Sequence, residues 1–259
     1  MSSFAQRLRD REQLLGYWVV LDAPVATERL ARIGYDYIAF DAQHGLMGYD
    51  GMLQGLMAVD AGSALGPARS AGVVRVESSD PAAIGHALDA GASGIIVPLV
   101  NTAEQAARAV EAVRYPPHGV RSYGPMRSQL RIGPVPADTV EQVAVLAMIE
   151  TAEGLSNLHE ICATPGLDGV YVGPSDLSIG LGGRFPNDPE IKDKFDDALA
   201  RVATAAASAG IAAGIHTPAG EVASERLAAG FTFASIASDL VHLEAAAATH
   251  LTAARNEGR

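Results

Sequence analysis

Five times along the chain an Ala-rich helical stretch closes on a glycine and a short apolar run follows at once. These are Gly34 before YDYIAF, Gly91 before ASGIIVPLV, Gly166 before LDGVYVG, Gly210 before IAAGI and Gly230 before FTFASIA. A glycine just past a helix end supplies the left-handed cap, and the runs after it are too short and too uniformly apolar for half-exposed strands. Helix, glycine and buried strand in repetition specify parallel βα units. Three further runs, GYWVVLD (16–22), GVVRVE (72–77) and VAVLAMIE (143–150), bring the strands to eight. Eight such units predict a (β/α)8 TIM barrel, as one domain over residues 1–259. A doubly wound open sheet is the alternative, but no Gly-rich dinucleotide turn follows the first strand.

Composition narrows the partners. A formal net charge of -11 argues against nucleic acid and anionic membrane surfaces, both of which need basic patches. The single cysteine, Cys162, excludes an intrachain disulfide and a Cys-based zinc site, and its place after the helical LHEIC pattern predicts a packed core thiol. The N-terminal stretch interleaves charged and apolar residues without a secretory apolar core, and no apolar run reaches the length of a membrane span. The expectation is a soluble cytoplasmic protein.

In a barrel of this kind the active site gathers where the strands end. Reading those ends in order gives Asp22, then Asp41, Gln43 and His44, then Arg75 and Glu77, Pro98, Glu150, the turn Gly173-Pro174-Ser175-Asp176, His216 and Asp239. Glu150 and Asp176 end neighbouring strands with no cysteine and no paired-histidine pattern nearby, a donor set suited to a hard cation such as Mg2+ or Mn2+. Capping a helix is the alternative role for Asp176, since PSDLS reads as a helix start. The same turn would aim backbone N–H groups at an anion such as a substrate carboxylate. His44, three residues after Asp41 across a tight turn, is placed for proton transfer, with a structural histidine as the alternative. Arg75 and Glu77 share a strand face, so Arg75 either forms an ion pair with Glu77 or a neighbour, or meets an oxyanion.

One connection is long. Residues 115–139, YPPHGVRSYGPMRSQLRIGPVPADT, are rich in Pro, Gly and Arg, and a loop of that length is expected to be functional or mobile.

FDAQHG, VVRV, DAGASGIIVPLVNTAEQA, RYPPHGVRSYGP, MIETAEGL and LDGVYVGPSDLSIGLG occur in an order that resembles the class II, divalent-metal-dependent pyruvate aldolases of the HpcH/HpaI family. The resemblance runs from about Gly16 to Asp239. It implies an aldolase that reversibly cleaves a 4-hydroxy-2-oxo acid to pyruvate and an aldehyde. By position, Glu150 and Asp176 would hold the cation (Mg2+, Mn2+ or Co2+). His44, oriented by Asp41, would be the acid/base, and Arg75 would hold the keto or enolate oxygen. The amides around Ser175 and Asp176 would hold the pyruvate carboxylate, with Gly173 and Pro174 of the same turn in the substrate site.

Three positions depart from the commonest family pattern: Gln43 where a Glu is usual, Met148 where a Gln is frequent, and His216 where relatives often carry an apolar residue. All three bear on substrate choice. Arg121, Tyr123 and Arg127 of the long connection, with His216 opposite, are expected at the pocket mouth, selecting the aldehyde. A related citramalyl- or malyl-CoA-type lyase and a barrel that binds a keto acid without turnover are the rival readings. The C-terminal segment 240–259 reads as a helix with Leu240, Leu243, Ala247 and Leu251 on one stripe. The family resemblance implies a homo-oligomer, a hexamer built from trimers with this helix exchanged between subunits.

Overall fold

The computed structural model describes residues 2–133, 135–136 and 142–256. Its eight strands are β1 (Leu14–Val19), β2 (Tyr37–Asp41), β3 (Ala71–Arg75), β4 (Gly94–Val97), β5 (Ala144–Ile149), β6 (Gly169–Val172), β7 (Ala212–Thr217) and β8 (Phe233–Ser238). Each pairs in parallel with the next, and β8 returns to β1, closing the barrel in sequence order. The helices are α1 (Phe4–Arg9), α2 (Pro24–Ala31), α3 (Tyr49–Ser63), α4 (Pro81–Asp89), α5 (Ala103–Val113) and α6 (Gln129–Ile132), then α7 (Ala152–Ser156), α8 (Leu158–Cys162), α9 (Pro174–Gly180), α10 (Lys192–Ala209), α11 (Gly220–Ala228) and α12 (Asp239–Asn256). The open-sheet alternative is excluded by closure.

All five glycines of the repeat have positive φ, from 73° at Gly210 to 114° at Gly34, as a left-handed helix stop requires. The barrel interior is filled by Leu14, Tyr37, Val73, Ile96, Leu146, Tyr171 and Phe233, all inaccessible to solvent. Gly16 makes that filling possible: a Cβ there would lie 2.1 Å from the Tyr37 ring. A second apolar layer, which includes buried Cys162, joins the strands to the helices, and burial pushes the Cys162 thiol up to about 12. Cys162 is thus a packed core residue, as expected. No helix among the described residues is long and apolar enough to cross a membrane.

The long connection lies elsewhere than expected. It leads from the end of α5 into the start of β5, which puts it at the end of the barrel opposite the strand C-termini. Arg121 bonds Asp89, the last residue of α4, at 2.7 Å and stacks over Tyr115, its guanidinium carbon 4.6 Å from the ring centroid. Arg127 pairs with Asp60, in the last turn of α3, and Arg131 reaches the same carboxylate at 2.9 Å. Within this chain Arg121 and Arg127 are therefore structural braces, not lining for the substrate pocket. Residues 134 and 137–139 of the segment lie outside the described residues.

α12 meets the barrel only at its start. Asp239 accepts from the Val20 and Leu21 amides at 3.0 and 3.1 Å, and the Tyr17 hydroxyl bonds His242 Nδ1 at 2.9 Å. Beyond that the helix is exposed, with Leu243 at 61% and Leu251 at 52% accessibility, so most of its apolar stripe faces away from its own barrel.

Candidate active site

The parallel register sets Asp41 of β2 directly beside Arg75 of β3. Their side chains form a forked pair, Arg75 Nε to Asp41 Oδ1 at 3.0 Å and Arg75 Nη2 to Asp41 Oδ2 at 2.5 Å, with both residues at least nine-tenths buried. Arg75 thus takes the neighbour option, and Glu77, just past the strand, sits instead on a separate small cavity between α3 and α4. Asp41 also accepts from Trp18 Nε1 (3.3 Å) and from the backbone amides of Gln43 (3.1 Å) and His44 (3.0 Å). Burial works to raise the Asp41 carboxyl, but the Arg75 hydrogen bonds and charge, with the His44 amide and Trp18, outweigh it and hold the group below the usual carboxylate range. The turn needs Gly45, where a Cβ would stand 2.1 Å from the Asp41 carbonyl oxygen.

Asp41 therefore orients His44 through its main chain, leaving the exposed imidazole facing the cavity. That cavity, of about 220 Å³, opens at the strand C-termini and is lined by Trp18, His44, Arg75, Met148, Tyr171, Gly173, Pro174, Ser175, Asp176 and His216. Gln43 is not in the lining; its backbone serves Asp41, while its side-chain oxygen is buried without a partner.

Glu150, just past β5 and 3% exposed, accepts the Leu99 N–H at 2.7 Å through Oε1. Leu99 reaches that position with φ of 56°, a left-handed conformation uncommon for a branched side chain, which turns its amide onto the carboxylate. The other oxygen, Oε2, faces Gly173, where a Cβ would lie only 2.6 Å from it and 2.7 Å from Met148 Cε. Gly173 is also the N-cap of α9 and offers no capping side chain, with Pro174 following at N1. Asp176 accordingly stands in the first turn as an exposed carboxylate and does not cap the helix. The backbone N–H groups of Ser175 and Asp176 are first-turn donors that the helix itself cannot satisfy. Burial, with Asp176 adding to it, pushes the Glu150 carboxyl above its ordinary range, against the pull of the Leu99 amide.

Two residues that the strand-end reading passes over complete the site. Trp18 holds Asp41, lies under the Arg75 guanidinium (5.2 Å) and stacks on Tyr171 (5.8 Å). Tyr171 forms the floor and donates to Ser235 Oγ at 2.8 Å. Both lie inside strands and point inward by strict alternation, the signal that would have found them. His216 meets the edge of Trp18 at 5.3 Å; burial, with Arg75 as second cause, pushes its imidazole down to about 4, and its Nδ1 has no partner.

The cavity therefore combines the Arg75 guanidinium, the Asp176 carboxylate, the imidazoles of His44 and His216 and outward-facing amides, with the second carboxylate, Glu150, against its Gly173 wall. No group of three or more His, Cys, Asp and Glu side chains able to hold a metal occurs among the described residues. Two carboxylates are enough for Mg2+-like cations, which keep several waters and use one or two protein carboxylates plus substrate oxygens. The donor set fits such a cation. It contains no soft ligand, and the Glu150–Asp176 repulsion is relieved by positive charge between them.

Comparison with known proteins agrees with this chemistry. Residues 14–246 match the family model described as HpcH/HpaI aldolase/citrate lyase. The chain is 40% identical over 242 residues to a hydroxypyruvate/pyruvate aldolase of Rhizorhabdus wittichii, covering 93% of this chain and 94% of that one. It is 36% identical to a 4-hydroxy-2-oxovalerate aldolase of Rhodococcus jostii, covering 98% and 95%. The crystal structure of an HpcH/HpaI aldolase/citrate lyase family protein from Burkholderia cenocepacia J2315 superposes with a TM-score of 0.87 at 33% identity, covering 98% of this chain and all of that one. With the barrel, the cavity and these matches in agreement, the chain belongs to the HpcH/HpaI aldolase/citrate lyase family.

Proposed function

We propose that the protein is a divalent-metal-dependent aldolase that reversibly cleaves a 4-hydroxy-2-oxo acid to pyruvate and an aldehyde. The observation that carries this reading is that Asp41 holds Arg75 in the wall of a cavity also lined by His44 and Asp176, with Glu150 Oε2 against Gly173 of the same lining. Glu150 and Asp176 hold the cation, Mg2+, Mn2+ or Co2+, which when bound supplies Lewis acidity towards the substrate's 2-oxo group. The amides of Ser175 and Asp176 take the substrate carboxylate. Asp41 uses two of the five Arg75 N–H donors and fixes the guanidinium plane, leaving donors for the 2-oxo oxygen as it becomes an enolate oxygen. The His44 imidazole removes the C4 hydroxyl proton; the C3–C4 bond breaks, its electron pair forms the pyruvate enolate, and the aldehyde leaves. Protonation of C3 then yields pyruvate. Both lysines of the chain lie on α10, away from the cavity, so the residues favour this route over a Schiff base.

Pyruvate release measured with and without excess chelator tests the reading. Activity lost in chelator and restored by Mg2+, Mn2+ or Co2+ supports it; undiminished turnover in chelator, or a borohydride-trapped pyruvate adduct on lysine, sinks it. The uncovered stripe of Leu240, Leu243, Ala247 and Leu251 further supports a trimer or hexamer with exchanged α12 helices. Sedimentation of the full-length chain as an active monomer would refute that assembly.

A further inference from the structure

A second cavity of about 420 Å³ adjoins the catalytic one, and Pro174, Ser175 and His216 line both. Its walls come from four other elements: Phe195 of α10, Ile215 of β7, Val222 of α11 and Val241 of α12. These are apolar, and two of its hydroxyls are engaged. Thr217 Oγ1 donates to the Ser235 carbonyl at 2.9 Å, and Ser238 Oγ accepts from the Val241 amide at 3.4 Å. Arg226 is the only charged residue in this lining among the described residues, and it faces Asp196 at 3.6 Å. The catalytic cavity holds one cation, Arg75, already matched by Asp41.

Resting on the aldolase reading, we infer that the aldehyde half of the substrate extends past His216 into this annex. The preferred acceptor is then an uncharged aldehyde with a long alkyl or aryl substituent. The pyruvate half is fixed between Arg75, Glu150 and the α9 amides, so elongation of the substrate must proceed away from them. His216 stands at the only residues the two spaces share, and its imidazole stays uncharged through the neutral range, so no charge has to be crossed at the junction. A second carboxylate on the acceptor would meet only Arg226, which already faces Asp196, a carboxylate it shares with Lys192, whereas each methylene buried in the annex strengthens transition-state binding by roughly fourfold.

The test is the condensation reaction with pyruvate, reading kcat/KM for acetaldehyde, hexanal, 3-phenylpropanal and succinic semialdehyde. Hexanal and 3-phenylpropanal should exceed acetaldehyde by tenfold or more, and succinic semialdehyde should trail them. Val222→Trp, which fills the annex, should lower the hexanal-to-acetaldehyde ratio at least tenfold. Val241→Trp, on a different helix, reads the same ratio should the first variant not fold. Acetaldehyde turnover with hexanal no better, or a ratio unchanged by both variants, overturns the annex and leaves the aldolase reading intact. Pyruvate consumed with none of the four aldehydes overturns the aldolase reading and the annex with it.

Discussion

Replacing Asp41 with asparagine keeps the shape of the side chain and removes its charge. In the wild-type protein the carboxylate accepts five hydrogen bonds: Arg75 Nε and the Gln43 and His44 amides on Oδ1, and Arg75 Nη2 and Trp18 Nε1 on Oδ2. An asparagine oxygen at the Oδ1 position preserves three of them, but its NH2 then confronts two donors. Arg75, 8% exposed, is left as a buried cation without a counter-charge. Breaking a buried pair in this way costs about 3–5 kcal/mol, and at about 2–4 °C per kcal/mol for a chain of this size the melting temperature should fall by roughly 6–20 °C. Because the folded protein holds the Asp41 carboxyl below its ordinary value of 3.8, the stability it contributes is present above that value and is lost as pH falls through the folded one. The gap between wild type and Asp41→Asn should therefore be flat from neutral pH down to about 4 and close below it. Thermal melts across pH, paired with pyruvate-release kinetics, measure both. A variant melting within 2 °C of wild type, or a gap that widens in acid, would refute the argument that this pair anchors the site.

Three further outcomes are expected. His44→Ala should lower kcat by roughly a hundredfold or more while calorimetric Mn2+ affinity stays near wild type, since in the proposed reaction the ring transfers a proton and does not hold the cation; near-normal kcat returns His44 to a structural role. Gly173→Ala places a methyl 2.6 Å from Glu150 Oε2, so Mn2+ affinity should drop tenfold or more with the secondary structure by circular dichroism intact; unchanged affinity shows that Glu150 lies outside the cation site. Arg127→Ala removes the Asp60 brace at the far end of the barrel, so the melting temperature should fall while kcat/KM for each aldehyde is kept; a change in aldehyde preference would return this segment to the pocket.

Local physics made much of the fold legible. A buried parallel strand needs an unbroken apolar run and a helix stop needs a left-handed residue, so glycine and run together marked five of the eight units before any contact was known. Strand ends gave a list in which His44, Arg75, Glu150 and Asp176 stood beside Asp22, Glu77 and Asp239, and the family resemblance, not local physics, chose among them. Chain order alone also places the 115–133 arginines, since a helix-to-strand connection lies at the end away from the strand C-termini whatever its length.

What only tertiary structure decided is who meets whom. Arg75 and Glu77 share a face by strand parity, yet the partner of Arg75 is Asp41, because neighbouring strands bring residues side by side through register, and register depends on how eight strands close. The same closure puts Trp18 of β1 against Tyr171 of β6 and turns the Leu99 amide onto Glu150, contacts 153 and 51 residues apart in the chain, from Tyr171 minus Trp18 and Glu150 minus Leu99. It also sets the annex beside the catalytic cavity. Periodicity records which side of an element is buried; it holds no information about what stands across the gap.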